Sequence, residues 1–270
     1  MKNIYNMRPT KYRAIWISDV HLGFRGCHAE TLLEFLKTTE SEYLYLVGDI
    51  VDVWNMKKGL YWPQQHNNVL RTILGKSKFG TKVIYIPGNH DEIFRDYTNL
   101  TFGNIEVQQE AIHTTATGKK ILILHGDQFD NAVVCNKLLT IIGDKAYDFL
   151  LYISNNLIIV RKKLGFPHWS LATYIKHKIR NALTYIAKFE EVVVHEARKR
   201  KMDGVVCGHI HHPNMRTING IQYCNTGDWV ENCTAIVEHP NGQLNLMRWY
   251  EQERNESIGS ELPAANEIPS

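Results

Sequence analysis

YIPGNHDEIF, residues 85–94, places an Asn-His-Asp just past an apolar, β-branched run, in a turn opened by Pro87 and Gly88. A short apolar run ending in such a turn reads as a buried strand that delivers polar side chains to the edge of a sheet. RAIWIS (13–18), YLYLVGD (43–49) and KKILILHG (119–126) have the same form. Helical spacing at 27–39 and 64–76 separates the first three strands, and strands alternating with helices predict βαβ units and a largely parallel sheet. DGVVCGHIHHP (203–213), MRTINGIQYCNTGDW (215–229), CTAIVEH (233–239) and LNLMRWYE (244–251) read as further strands. The Asn-Gly within INGIQ marks a tight hairpin, so this second half is expected to be antiparallel.

The middle of the chain is different. From 131 to 202, thirteen Lys and Arg face five Asp and Glu, a local excess of eight positive charges in a chain of net +3. Leu138, Ile141, Ile142, Tyr147, Leu150 and Leu151, then Leu171, Tyr174, Ile175, Ile179, Leu183 and Ile186, recur at helical spacing, while Gly165 and Pro167 break the array. The expectation is a helical cap inserted at 131–202 within a single domain of residues 12–250, followed by a polar, disordered tail at 251–270. The basic excess suits an anionic partner such as a phosphorylated lipid or a membrane surface. Nucleic acid fits less well, because apolar helical stripes rather than a groove of base-stacking aromatics interleave the charges.

Five cysteines without a C-x-x-C pair favour reduced thiols in a cytosolic protein over a disulfide framework. The first eighteen residues contain no apolar signal core, and no run approaches the ~18 apolar residues of a membrane span. A soluble cytoplasmic protein is expected, with peripheral membrane contact through the basic segment.

Five polar clusters fall at strand ends. They are SDVHLG with Asp19 and His21, GDIVD with Asp49 and Asp52, GNHDE with Asn89 and His90, LHGD with His125, and GHIHHP with His209 and His211. Sites in open α/β sheets gather outside the carboxyl ends of parallel strands, so these loops are expected to converge. Any one cluster is ordinary turn chemistry; five in order are not. Oxygen and imidazole donors without thiolate suit Mn²⁺, Fe²⁺ or Zn²⁺. A carboxylate shared between two such ions makes a two-metal site, with the ions ~3.5–4 Å apart, which activates water for in-line attack on phosphorus.

The motifs D-x-H, G-D-x-x-D, G-N-H-D-E, H-G-D and G-H-x-H, in this order, resemble the calcineurin-like metallophosphoesterase superfamily. The resemblance implies a four-layer α/β/β/α sandwich with two divalent metal ions at the ends of the sheets. It assigns Asp19, His21 and His211 to one ion, Asn89, His125 and His209 to the other, Asp49 as the bridge, and His90 as a catalytic histidine outside the ligand set. GDIVDVW, HGDQFD, NTGDWVE and the helical insertion are most similar to the UDP-2,3-diacylglucosamine pyrophosphohydrolases and their near relatives. That likeness implies release of UMP from a lipid-linked sugar nucleotide in lipid A synthesis, with Mn²⁺, under a cap covering the acyl chains.

His90 departs from the best-known members of that group, which have Arg at this place. Arginine stays charged and cannot act as an acid. A protonated histidine can donate to the basic leaving group of an ordinary ester, so His90 also admits phosphodiesterase or phosphatase activity. Asp52 is expected to hold a ligand histidine or cap the following helix. Arg25, Asp127 and Asp130 are the candidate substrate contacts, although a loop-bracing hydrogen bond is an equal reading for the two aspartates.

Overall fold

A computed structural model describes residues 9–131, 133 and 171–250, with backbone only at 102 and 171–181. Residues Phe129–Val192 form one compact unit, and Met1–Gln128 with Val193–Ser270 form the other. The second of these is built as β1 (Thr10–Ile17), α1 (Ala29–Thr38), β2 (Thr39–Val47), α2 (Val53–Lys58), α3 (Gln64–Lys78), β3 (Lys82–Ile86), β4 (Thr101–Phe102), β5 (Ile105–Val107), β6 (Ala111–Thr114) and β7 (Lys120–Ile123). After α4 (Leu171–Lys199) come β8 (Gly204–Cys207), β9 (Asn214–Ile218), β10 (Ile221–Asn225), β11 (Thr234–Glu238) and β12 (Leu244–Arg248).

Two sheets result, with orders β12-β11-β1-β2-β3-β5-β4 and β6-β7-β8-β10-β9. The period-2 alternation of the strands decides which side each residue faces. Ile15, Ile17, Leu44 and Leu46 pack with Leu32, Phe35, Leu36, Val69 and Ile73 of α1 and α3. Ala14, Trp16, Tyr45, Val47, Ile84 and Ile86 meet Ile121, Ile123, Val206 and Cys224 of the other sheet. Near the end of α4, Val193, Val194 and Ala197 are buried. Arg198 there donates to Asn219 O in the β9–β10 turn at 2.6 Å. The architecture is two sheets flanked by helices.

The parallel arrangement of β1, β2 and β3 is as the alternation of strands and helices predicts. The INGIQ hairpin also forms: β9 and β10 are antiparallel, with positive φ at Asn219 (51°) and Gly220 (84°). The second half is not uniformly antiparallel, however. β8 lies parallel to both β7 and β10, and only β9, β11 and β12 pair antiparallel with their neighbours. The reason is topological: α4 is a long crossover, which lets β8 enter beside β7 in the same direction, and the chain then returns to the first sheet through β11. The helical reading holds over Leu171–Lys199. Residues 134–170 of the expected cap and the tail at 251–270 lie outside the described residues. No disulfide joins the described cysteines.

Candidate active site

The loops after β1 and β2 are zipped together by their backbones. Asp19 N donates to Gly48 O (3.0 Å), His21 N to Asp49 O (2.9 Å), Leu22 N to Ile50 O (2.9 Å), and Asp52 N to Leu22 O (2.8 Å). This zipper sets Asp19, His21 and Asp49 on adjacent turns. Five of the expected ligand positions have left-handed backbone: Asp19 (φ 51°), His21 (56°), Asp49 (54°), His209 (71°) and His211 (52°). Residues other than glycine rarely adopt this region, and such strain concentrates at functional sites, where the surrounding structure enforces it.

The approach is close enough to require glycine at two places. A Cβ on Gly88 would run into Asp49 and His125, and one on Gly208 into Asp19 and Ser18. Gly88 thereby lets the turn of residues 87–91 bring Asn89 against the pair, and His90 N donates to Asp49 Oδ1 at 2.8 Å.

Asp19, His21, Asp49, His90, His125, His209 and His211 are brought together by the loops that follow the strands, and Asn89 lies in the turn beside them in sequence. Asp19, His21 and His211 bring one donor atom each within 4.8 Å of one another, as do Asp19, Asp49 and His125. His21, Asp49 and His90 do the same, so His90 reaches the same space as the ligand candidates. His209 N donates to Asp19 Oδ2 at 3.0 Å, and its ring meets the His125 ring at 5.2 Å.

These residues fit divalent ions. Asp19 Oδ1, His21 Nε2, Asn89 Oδ1 and His125 Nε2 are buried without a hydrogen-bond partner among the described residues. Buried polar atoms are almost always satisfied, and three of these orphans, on Asp19, His21 and His125, belong to the donor groups close enough to share a ligand. His211 Nε2 lies 3.2 Å from Asp19 Oδ1 and His125 Nε2 3.3 Å from Asp49 Oδ2, so these nitrogens and carboxylate oxygens face the same space.

Four of the imidazoles, on His21, His90, His125 and His211, are turned by a partner on Nδ1. His125 Nδ1 faces Val47 O at 2.9 Å. His211 Nδ1 faces Asp228 Oδ2 at 3.5 Å, and Asp228 is itself held by the backbone N–H groups of Val230, Glu231 and Asn232. Asp52 does both things expected of it. Its Oδ2 meets His21 Nδ1 at 3.1 Å, its Oδ1 meets His90 Nδ1 at 3.0 Å, and it caps α2 by accepting from Asn55 N. Burial disfavours its charge, yet the His21 and His90 hydrogen bonds hold its carboxyl well below the usual range. For His90 the balance runs the other way: burial opposes the imidazolium, but Asp52 and Asp49 outweigh it and raise the pKa.

Asp91, which reads from sequence as a turn residue, ties the site loops together. It accepts from Asp49 N, Ile50 N, Val51 N, Gly88 N and the Tyr85 hydroxyl. The only sequence signal was its place inside GNHDE. Ser18 donates to Asp19 Oδ2 and joins it to Thr226 and Gly227; nothing in the chain marked it. Trp54 lies against the His90 ring at 4.5 Å.

The candidate substrate contacts are scattered. Asp127 Oδ2 takes a bond from Arg95 at 2.7 Å, which favours the loop-bracing reading, while its Oδ1 is buried without a partner. Asp130 belongs to the other unit and accepts from the Tyr185 hydroxyl. Arg25 is exposed, its guanidinium 4.5 Å above the Tyr61 ring.

Residues 12–213 match the family model described as calcineurin-like phosphoesterase. The chain belongs to this family. It is therefore a hydrolase of phosphate esters or anhydrides. Among similar curated proteins is a UDP-2,3-diacylglucosamine hydrolase of Psychromonas ingrahamii, 26% identical over 87% of this chain and 96% of that protein. Another of the same name, from Blochmanniella pennsylvanica, is 23% identical over 76% of this chain and 81% of that protein. Similar solved structures include wild-type Vps29 with zinc from Entamoeba histolytica (12% identity, 87% and 98% coverage, TM-score 0.42). An archaeal phosphodiesterase gives 12% identity, 87% and 98% coverage, and a TM-score of 0.40. No helix among the described residues is long and apolar enough to cross a membrane.

Proposed function

We propose that this enzyme cleaves the pyrophosphate of UDP-2,3-diacylglucosamine, giving UMP and a lipid sugar phosphate at the cytoplasmic face of a membrane. The metal-dependent part of this reading is carried by one observation, the orphaned donor atoms of Asp19, His21 and His125 in donor groups that gather around Asp49. The substrate part is supported by the curated relatives of that name, and by the apolar and basic composition of 131–202, which suits acyl chains and phosphates.

In this reading Asp19, His21 and His211 would hold one divalent ion and Asn89, His125 and His209 a second, with Asp49 shared between them; Mn²⁺ is the favoured metal, and Fe²⁺ or Zn²⁺ the alternatives. When bound, such ions make water nucleophilic at neutral pH and neutralise phosphate charge. Asp52 anchors His90 through Nδ1, which leaves Nε2 to donate a hydrogen bond to a phosphoryl oxygen as negative charge builds on it. Trp54 shields one face of that ring from water. Arg25, exposed after the first site loop, is the substrate contact this reading keeps.

A histidine at position 90, held by Asp52 through Nδ1, supports a second reading, a phosphodiesterase or phosphatase, because a protonated imidazole can give its proton to an alkoxide. A Mn²⁺-dependent assay on UDP-2,3-diacylglucosamine beside plain UDP-sugars and aryl phosphates separates the two. Turnover of the acylated substrate well above the others is expected; turnover of aryl phosphates alone overturns the lipid reading.

A further inference from the structure

From Val53 to His90 the chain has no acidic residue, while it carries Lys57, Lys58, Arg71, Lys76, Lys78 and Lys82. Two of these bond to oxygen, Lys76 to Thr39 O and Lys82 to Glu106, while Lys78 Nζ lies 5.9 Å from the Phe79 ring centroid. Lys57, Lys58, Arg71 and Lys78 are exposed. The same segment exposes large apolar side chains: Phe79 at 87%, Leu60 at 77%, Leu74 at 56% and Trp54 at 40%.

These residues lie on consecutive elements of one segment, α2, the connection at 59–63 and α3. α3 buries His66, Val69, Ile73 and Ser77 toward the first sheet. The opposite stripe, at the i, i+3, i+7 spacing of a helix face, is Arg71, Leu74 and Lys78. Leu60 precedes the helix and Phe79 follows it, so exposed apolar groups bracket a helix about 22 Å long at 1.5 Å per residue. α2, with no buried residue, adds Lys57 and Lys58 at the end nearer the metal loops, where Trp54 touches His90. The nearest acid on α1, Glu30, is bonded to Gln65 at the rim.

We propose that this face, from Trp54 to Phe79, docks on an anionic phospholipid bilayer, with α3 lying in the plane of the interface. Exposed cations meet anionic head groups, while Leu60, Leu74 and Phe79 enter the boundary with the acyl chains. The apolar groups select a bilayer over a nucleic acid, whose phosphate backbone offers leucine and phenylalanine nothing to bury in. Docking here sets the mouth of the site, at the Trp54 end, against the membrane surface. The inference does not depend on the substrate and places membrane contact on the described unit, apart from the basic 131–202 segment.

The test is flotation of the full chain with vesicles of phosphatidylglycerol and phosphatidylcholine, or of phosphatidylcholine alone. The wild type is expected to partition at least about tenfold more strongly onto the anionic vesicles. Leu60→Asp/Phe79→Asp and Arg71→Gln/Lys78→Gln are each expected to weaken that partition about tenfold or more. Both variants keep wild-type hydrolysis of a soluble aryl phosphodiester, which establishes that they are folded. The proposal is overturned if either variant floats like the wild type, or if the wild type does not distinguish the two vesicles. It is equally overturned if the wild type binds duplex RNA and ignores vesicles, or if light scattering finds a dimer that the substitutions dissolve.

Discussion

At the scale of single residues, Asp52 links two histidines of the site to a helix cap. It orients His21 and His90 and caps α2 at once. Asp52→Ala is expected to lower metal affinity or kcat/KM about 10–100-fold, because imidazole ligands that lose their anchoring carboxylate lose orientation. Loss of the cap costs about 1 kcal/mol as well. Metal content and steady-state rates, measured on the same sample, check this; unchanged metal affinity and rate would remove Asp52 from the site. His90→Arg distinguishes its two roles. It should retain cleavage of a UDP-linked anhydride, whose leaving group is a stable phosphate, and lose about 10²-fold on an ester. Equal loss on both substrates would show that His90 donates no proton to the leaving group.

At the scale of elements, the site is a product of five loops and the strands that aim them. The β1 and β2 loops are zipped backbone to backbone, and Asp91 carries the bracing on to the turn after β3. Gly88→Ala tests how tight that assembly is, since the added methyl must displace either Asp49 or His125. The expected result is at least a tenfold loss of Mn²⁺ affinity by calorimetry, in a protein that keeps its far-ultraviolet dichroism. Strands were legible from sequence because a buried strand needs a run of apolar residues bounded by a turn. β4, β5 and β6 were not, being two to four residues long. Period and propensity carry too little information over so few positions.

At the scale of the whole molecule, stability is tied to the metals and to the space between the sheets. Ions that bind the folded chain alone stabilise it by mass action. Chelation should therefore lower the melting temperature, and Mn²⁺ should restore it at about two ions per chain. Away from the site, His113 is buried against Tyr45 and Glu238, with Arg13 alongside. Burial lowers its pKa despite the hydrogen bond to Glu238. A histidine with a depressed folded pKa contributes fully above the unfolded value of about 6.5 and loses that contribution as pH falls through the folded one. The stability advantage of the wild type over His113→Gln should therefore be larger at pH 7.5 than at pH 5, as read from urea unfolding. A constant difference would show that His113 does not titrate differently on folding.

The sequence by itself determined the strand cores, the chemistry of the donor set and the five places where it would appear. Apolar runs and the identity of side chains are local properties, and GNHDE with its four companions carries them openly. Only the tertiary structure decided that Asp52 serves two histidines, that Asp91 braces the loops, that Asp127 is held by Arg95, and that β11 returns to the first sheet. Each depends on groups tens of residues apart meeting through folded backbone, and no short-range pattern records which partner a buried carboxylate will find. The turn at residues 87–91 shows both sides: its residue types announced the chemistry, and the bare Cα of Gly88, pressed against Asp49 and His125, is what brings that chemistry together.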